Sequence, residues 1–271
     1  MHFTLNHREA FYLLSIHYFN THTSFNPLNS EIAISKFEDT YLKVRAKELR
    51  LYPDEIIASL PIVPKTHPHF REWMIREMTF EKFKIYLQQK NKTLHILDLG
   101  CGTGWMSNKM SEINQSVVMG IDLNWHETEQ AKRIFKNNQR LTFHAGDLLA
   151  ERLFLTERFD IIVLAASIQY FPDINRLVRH LFRLLNPNGE IHIVDSPFYS
   201  ENKIEKAKEA SRNYYRNLGC EEMTRYYHHH CWSEIEDFHF QIMNRTWKNS
   251  FLLKIFGTKR NYFPWIVIYQ S

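Results

Sequence analysis

The chain has 271 residues, of which 44% are hydrophobic and 24% charged, so it is long enough to bury a large core. Its net charge of +4 is spread along the sequence instead of forming a basic run, which makes a nucleic-acid partner unexpected, and no apolar stretch approaches the roughly 20 residues of a membrane span. Three cysteines are too few for a disulfide framework and suit a reducing compartment, so we expect a cytoplasmic protein.

The first 90 residues carry helical patterns. Apolar side chains recur at helical spacing between Ile32 and Leu51, and again between His69 and Gln89. We therefore expect residues 1–90 to form a helical cap on a sheet that follows. Such a cap covers a sheet edge or a dimer surface, or it acts as a lid that excludes water, and the sequence leaves these roles open.

A glycine-rich loop follows the cap. The apolar run Leu94–Leu99 leads directly into three of the eight glycines of the chain, Gly100, Gly102 and Gly104. Glycine permits a sharp turn from a strand into a helix and lets a ligand approach bare backbone amides. A dinucleotide-binding loop has the pattern G-x-G-x-x-G, whereas the third glycine here comes one position earlier. The spacing therefore counts against a dinucleotide ligand.

A second strand is expected over Val117–Asp122, and it ends in a carboxylate 24 positions after Asp98. An acidic side chain at the tip of the second strand of a βαβ unit is placed to accept hydrogen bonds from both hydroxyls of a ribose. The sequence therefore predicts that Asp122 binds a ribose. The alternative is that Asp122 only caps the helix expected over residues 124–137.

Three further strands are expected, and the first two of them end where the same ligand would lie. Leu141–Ala145 precedes Asp147, and Phe159–Leu164 precedes Ala165. The fifth strand, Glu190–Asp195, follows a turn that contains proline and glycine. Strands that alternate with helices in this way indicate a parallel sheet, whose carboxyl ends meet at one edge.

The segment Leu97–Gly104, with the sequence LDLGCGTG, resembles motif I of the class I (Rossmann-like) S-adenosylmethionine-dependent methyltransferases. The resemblance continues through five elements in order, from Thr93 to Ser196. The segment Gln169–Asp173 is similar to the small-molecule group that includes quinone-biosynthesis and natural-product enzymes. The resemblance implies an α/β fold over residues 91–271, with a mostly parallel seven-stranded sheet, an antiparallel last strand and S-adenosylmethionine as the cofactor.

The resemblance also implies a set of cofactor-binding residues. In that family the Asp147 position binds the adenine amino group, and small residues at the Ala165 position line the methionine portion. Carried over by motif match and combined with the ribose ligand, the expected cofactor site consists of Asp98, Gly100, Cys101, Gly102, Gly104, Asp122, Leu123, Asp147, Leu148 and Ala165.

The rest of the chain is expected to complete the sheet and to recognise the substrate. Helical patterns cover Glu201–Leu218 and Ser233–Met243. Two apolar runs, Ser250–Phe256 and Trp265–Tyr269, flank a glycine-containing loop and predict a hairpin, which matches the sixth and seventh strands of the resembled family. The residues at about 197–245 are expected to form an insertion on the substrate side.

The segment Thr224–Trp232 contains three consecutive histidines. In an extended segment alternate side chains share a side, so His228 and His230 converge while His229 does not easily join them; this is a poor zinc pattern, and we expect no metal. The segment lines an acceptor pocket, or it is a solvated or packed loop. The acceptor-side candidates are Tyr227, His228 and His230 and, after the fourth strand, Gln169.

The sequence thus predicts an S-adenosylmethionine-dependent methyltransferase that acts on a small or medium-sized molecule, with the acceptor atom and the oligomeric state left open. An RNA methyltransferase is an alternative, favoured by the positive charge and the aromatic content but lacking clustered Lys and Arg. A second alternative is a cofactor-binding protein without catalysis, whose cap binds a partner. A nicotinamide dehydrogenase is disfavoured by the early third glycine.

Overall fold

The structure, a computed structural model, describes residues 27–150, 157–243 and 263–270. The chain divides into an N-terminal unit that ends at Lys36 and a main unit that begins at Phe37. The described residues of the N-terminal unit are helical. The fold and the site described below belong to the main unit.

Three helices precede the sheet: α1 (Pro27–Lys47), α2 (Asp54–Ser59) and α3 (Phe70–Gln89). The expected helical patterns are therefore confirmed, with α1 starting earlier than its apolar pattern. Helix α3 buries Trp73, Phe80, Phe83 and Leu87 in the same apolar cluster as the first strand. This helix is thus part of the core of the sheet domain, and a division of the chain at residue 90 stays a prediction.

A seven-stranded sheet forms the centre of the main unit. Its first five strands are parallel: β1 (His95–Leu99), β2 (Val117–Asp122), β3 (Leu141–Ala145), β4 (Phe159–Ala165) and β5 (Leu185–Val194). Strand β9 (Ile266–Tyr269) is antiparallel to β5 and to β8 (His239–Ile242). The order across the sheet is β3-β2-β1-β4-β5-β9-β8. The predicted fold class is confirmed.

Helices cover both faces of the sheet because the strand residues alternate between two apolar clusters. In β4, Ile161 and Val163 pack with α3 and α4 (Trp105–Ser111), whereas Ile162 and Leu164 pack with α6 (Ile174–Phe182). These four strand side chains are almost fully buried, as expected for a parallel sheet between two helical layers.

Two helices on the carboxyl side of the strands start at capping side chains. Helix α5 (Trp125–Ile134) begins after Asn124, whose side chain accepts a hydrogen bond from the Glu127 amide, and α6 begins after Asp173, which caps Arg176 in the same way. Asn124 comes two residues after β2, whereas Asp173 follows β4 by eight residues and a short 3-10 turn over Ile168–Tyr170.

The expected helix Ser233–Met243 is wrong. The segment contains a short 3-10 turn over Trp232–Ile235 and then β8, an edge strand whose burial alternates between exposed and half-buried residues. The extended conformation comes from pairing with β9. A helical pattern reflects only neighbouring residues, so it could not predict this long-range pairing. The expected strand Ser250–Phe256 lies outside the described residues. Among the described residues, the antiparallel partner of β9 on this side is β8.

The segment expected as a substrate-side insertion contains α7 (Glu201–Asn217), a 3-10 helix over Glu221–Arg225 and a small two-stranded sheet, and its role on the substrate side stays a prediction. In that sheet β6 (Phe198–Tyr199) pairs in parallel with β7 (His230–Cys231). The pairing brings the histidine-containing segment back to the end of β5.

Candidate functional site

The three loop glycines all have positive φ, but for different reasons. A Cβ at Gly100 would lie 2.4 Å from the Cβ of Ser167, and a Cβ at Gly104 would lie 2.6 Å from the ring of Phe143. Packing therefore requires glycine at these two positions. At Gly102 the nearest atom would be Oε2 of Glu127, at 3.2 Å, so this Cα has more room around it.

Asp122 ties the glycine loop to the second helix of the unit. Its carboxylate accepts hydrogen bonds from the amides of Gly102 and Asn124, both at 2.8 Å. Burial raises the pKa of Asp122, although these two backbone hydrogen bonds act to lower it. The carboxylate thus stands at the tip of β2, beside the loop, as the sequence predicts.

Side chains of α1 pack over this region. Glu38 accepts a hydrogen bond from the Trp125 amide at 2.8 Å, and Arg45 forms an ion pair with Glu127 at 3.7 Å. Burial raises the pKa of Glu127 to about 7, although the charge of Arg45 acts to lower it. Arg45 and Glu127 are not recognisable as site residues from the sequence, because the arginine is distant in sequence and Asn124 with Glu127 looks like an ordinary helix start.

Asp98 is the most deeply buried carboxylate of the loop region. Its Oδ2 accepts a hydrogen bond from the hydroxyl of Ser107 at 2.6 Å, and its Oδ1 has no hydrogen-bond partner within the described part of the chain. Burial raises the pKa of Asp98 to about 7. A buried acceptor without a partner costs free energy, so this position favours a ligand that brings a positively charged donor.

A cavity of about 770 Å³ opens beside the loop. It contacts seven of the residues singled out from the sequence, namely Asp98, Gly100, Cys101, Gly102, Ala165, Gln169 and Tyr227. The other residues singled out are outside its lining: Gly104, Asp122, Leu123, Asp147, Leu148, His228 and His230.

Asp147 and Leu148 follow β3 at the same edge. The Asp147 carboxylate accepts a hydrogen bond from the Leu149 amide at 2.8 Å, and Leu148 is buried in the core. Both residues come directly after a strand that pairs with β2, so they lie on the Asp122 side of the loop.

The three histidines have structural contacts. His230 is buried between Oε2 of Glu234, at 2.9 Å, and the carbonyl of Ile168, at 3.1 Å. His229 contacts the hydroxyl of Ser211, and the backbone amide of His228 donates to the carbonyl of Gln169 at 2.7 Å. These bonds fasten the segment to the turn after β4, and no group of three or more potential metal ligands occurs in the described ranges.

Charged residues from the turn after α1 and from α3 form one wall of the cavity. Arg50 donates to both carboxylate oxygens of Glu72, and Arg76 donates to Oε1 of the same residue at 2.9 Å. Although burial acts to raise it, these arginines hold the pKa of Glu72 at about 2. Glu48 contacts Arg50 at 3.1 Å and accepts a hydrogen bond from Tyr214 at 2.6 Å.

Asp195 lines the cavity directly after β5 and was not among the site residues expected from the sequence. Its φ of +53° is in the left-handed region, as is that of Ala166 after the neighbouring strand β4. Burial raises its pKa, whereas the charge of Arg76 and a hydrogen bond with Thr79 act to lower it. Strained backbone of this kind concentrates at functional sites.

Tyrosines form the wall on the insertion side. Tyr170 contacts Tyr41 and Tyr227 edge to face, with ring centroids 5.7 Å and 6.2 Å apart, and Tyr227 contacts Tyr215 at 5.8 Å. Burial raises the pKa of Tyr170 to about 12 and also raises that of Tyr215 and Tyr227. The phenol groups therefore stay neutral and present a mostly apolar surface.

A family model described as a methyltransferase domain matches residues 90–253. The malonyl-[acyl-carrier protein] O-methyltransferase of Bacillus anthracis is 32% identical over 100 residues, which cover 36% of this chain and 36% of that protein. The ubiquinone biosynthesis O-methyltransferase of Pelagibacter ubique is 31% identical over 121 residues, which cover 44% of this chain and 49% of that protein. The chain therefore spans less than half the length of these relatives.

The fold is shared with a solved structure of magnesium protoporphyrin IX methyltransferase from Synechocystis PCC 6803 with bound SAH. The TM-score is 0.55, the sequence identity is 13%, and the match covers 89% of this chain and 99% of that chain. At this identity the likeness concerns the fold alone. None of the helices in the described residues is long and apolar enough to span a membrane.

Proposed function

This chain belongs to the methyltransferase-domain family, and we propose that it transfers the methyl group of S-adenosylmethionine to a small or medium-sized molecule. The observation that carries the proposal is the bond between the Gly102 amide and the Asp122 carboxylate, at the carboxyl edge of the parallel strands and next to a cavity of about 770 Å³. Ligands of open α/β sheets bind at this edge.

The residues at this edge fit the cofactor. The unpartnered Oδ1 of Asp98 suits the amino group of the methionine portion, and the Asp122 carboxylate retains lone pairs for the ribose hydroxyls. Five carboxyl side chains and three arginines are among the described lining residues, a balance that favours a positively charged sulfonium. We propose the remaining contacts from the family pattern: Gly100, Cys101, Gly104, Leu123, Asp147, Leu148 and Ala165.

When bound, S-adenosylmethionine supplies an electrophilic methyl group on a good leaving group. The protein then has to align the acceptor and to exclude water. In well-oriented reactions such alignment lowers the activation free energy by about 7 to 11 kcal/mol. We propose that α1 residues 37–47 act as a lid, since Glu38 and Arg45 already contact the α5 end of the site.

We also propose a cytoplasmic location. Cys101, Cys220 and Cys231 are all buried thiols, and Cys101 lies inside the loop that we assign to the cofactor. A reducing compartment keeps such a thiol unmodified.

Calorimetry with S-adenosylhomocysteine and NAD tests the proposal. We expect S-adenosylhomocysteine to bind to the purified chain, and NAD not to bind, because the third glycine comes too early for a pyrophosphate loop. Binding of NAD without binding of S-adenosylhomocysteine contradicts the cofactor assignment. A chain that binds S-adenosylhomocysteine but transfers no methyl group to any acceptor, RNA included, is the non-catalytic alternative.

A further inference from the structure

We propose that the methyl acceptor is a neutral aromatic molecule with a hydroxyl group, and that Asp195 accepts the proton of this hydroxyl. The inference rests on the proposed methyl transfer and names its substrate class. It is drawn from the backbone after β4 and β5, the charges of the cavity wall and the arrangement of the tyrosines.

The backbone places Asp195 at the end of the cavity away from the ribose position. Strands β4 and β5 pair up to Ala165 and Val194, and the residue after each of them, Ala166 and Asp195, has a φ of +53°. Asp122 is instead the last residue of β2, on the other side of β1. A carboxylate at the β5 end is therefore separate from the carboxylates that we assign to the cofactor.

The charges of the cavity disfavour an acceptor that is itself an anion. Each arginine of the described lining contacts a carboxylate: Arg45 pairs with Glu127, and both Arg50 and Arg76 pair with Glu72. An acceptor carboxylate would have to displace one of these partners, and it would also approach Asp195. Repulsion between like charges makes that arrangement costly.

The groups that face Asp195 suit a base. From α3, Arg76 contributes a positive charge, Thr79 a hydrogen bond and Glu72 a negative charge that Arg76 largely neutralises. Burial raises the pKa of Asp195 and so brings it closer to the range in which a carboxylate takes up a proton during a reaction.

The shape of the wall suits a flat ring. Tyr170, Tyr215 and Tyr227 meet edge to face, and Met223 lines the cavity beside them. Aromatic side chains in these orientations pack favourably against a further ring. Gln169, whose Nε2 donates to the carbonyl of Ala166 at 2.6 Å, also lines the cavity.

The proposed step transfers one methyl group to the acceptor and one proton to the protein. The acceptor oxygen forms a bond to the methyl carbon as the carbon–sulfur bond breaks, and the electron pair of that bond stays on sulfur. The hydroxyl proton passes to the Asp195 carboxylate and later to water. A hydroxyl needs such a base because it is a poor nucleophile while it keeps its proton.

Binding of two matched probes tests the proposal. The wild-type chain is saturated with S-adenosylhomocysteine, and the affinities for 4-methylphenol and 4-methylbenzoate are measured at neutral pH, where only the benzoate is charged. We expect the phenol to bind at least about tenfold more tightly, because of its neutral charge. Equal or tighter binding of the benzoate, or no binding of the phenol, overturns the substrate class.

Variants then test Asp195 itself. We expect Asp195→Asn to bind S-adenosylhomocysteine like the wild type and to lose most of the preference for the phenol. Asp195→Glu should restore that preference, and Glu209→Gln, an exposed carboxylate on α7, should leave it unchanged. An unchanged preference in a folded Asp195→Asn variant overturns the role of Asp195. If the wild type does not bind S-adenosylhomocysteine, the proposed function fails before either probe is added.

Discussion

Among single residues, the proposed cofactor site depends most on Asp122. Its carboxylate accepts a hydrogen bond from the loop amide of Gly102, and we expect it to bind the ribose as well. We expect Asp122→Ala to weaken the binding of S-adenosylhomocysteine by about 1 to 3 kcal/mol, the loss that follows removal of charge-assisted hydrogen bonds. Calorimetry measures this change, and Asp237→Ala, an exposed aspartate after the Trp232–Ile235 turn, is the matched control. An unchanged affinity moves the ribose contact to another residue.

Gly102 and Gly104 are expected to serve different purposes: Gly102 lets the ligand approach the backbone, and Gly104 leaves room for the Phe143 ring. We expect Gly102→Val to fold but to lose binding of S-adenosylhomocysteine, with a backbone cost of about 1 to 2 kcal/mol from its positive φ. Gly104→Val meets the Phe143 ring as well, so it should lower the free energy of unfolding by about 2 to 5 kcal/mol. Thermal melts and calorimetry compare the two variants. A folded Gly102→Val variant with full affinity contradicts the assigned contact.

Asp98 should make cofactor binding release protons. Burial raises the pKa of Asp98 to about 7, so in the free protein a large fraction of this carboxyl is protonated below that pH. A bound ammonium group favours the ionised form, so the proton leaves on binding and the affinity rises as the pH increases toward 7.

Calorimetry in buffers of different ionisation enthalpy measures this release. We expect the apparent binding enthalpy of S-adenosylhomocysteine to depend on the buffer for the wild type, and much less for Asp98→Asn. Glu127, whose pKa burial also raises to about 7, accounts for any release that remains in the variant. The same buffer dependence in both proteins assigns the proton to a group other than Asp98.

Among the secondary-structure elements, α1 is the one whose residues 37–47 we propose as a lid, and this role can be tested. Its contacts with the α5 end of the site are the Glu38 hydrogen bond to the Trp125 amide and the ion pair of Arg45 with Glu127. We expect S-adenosylhomocysteine to slow hydrogen exchange of the amides in residues 37–47, because a filled site removes the routes by which this helix opens. Helix α6, which packs on the face of the sheet opposite α3 and α4, should not change. Equal protection with and without ligand contradicts the lid.

The elements that could be predicted from the sequence are those with a strong local pattern. The apolar run before Gly100 identifies β1, and the carboxylate at the end of Val117–Asp122 identifies β2, because both signals lie within a few residues. Strand β8 could not be predicted, since its conformation comes from pairing with β9, which is distant in sequence. Asp195 was missed for a related reason: its position in the cavity depends on α3 and on a positive φ.

In the fold as a whole, β9 is the last of the described strands along the chain, yet it is an interior strand of the sheet. It lies between β5 and β8, and Trp265, directly before it, donates a hydrogen bond to the buried His192 of β5 at 3.0 Å. We expect a chain that stops before Trp265 to lose the cooperative thermal transition, because β5 becomes an open apolar edge. Replacement of Tyr269 by Phe, at the end of the same strand, is the milder control. A truncated chain that melts like the full one contradicts this role.

The position of β9 also has a consequence for synthesis on the ribosome. The five parallel strands and their helices emerge before the strand that separates β5 from β8. Until β9 emerges, the nascent chain presents a β5 edge with no neighbour, and such edges recruit other chains. A holdase chaperone should therefore stay bound to stalled nascent chains that end before β9 and leave those in which β9 has emerged. Crosslinking of a ribosome-associated chaperone would reveal the difference, with β9 brought out of the exit tunnel by a C-terminal linker in the longer stalled chain.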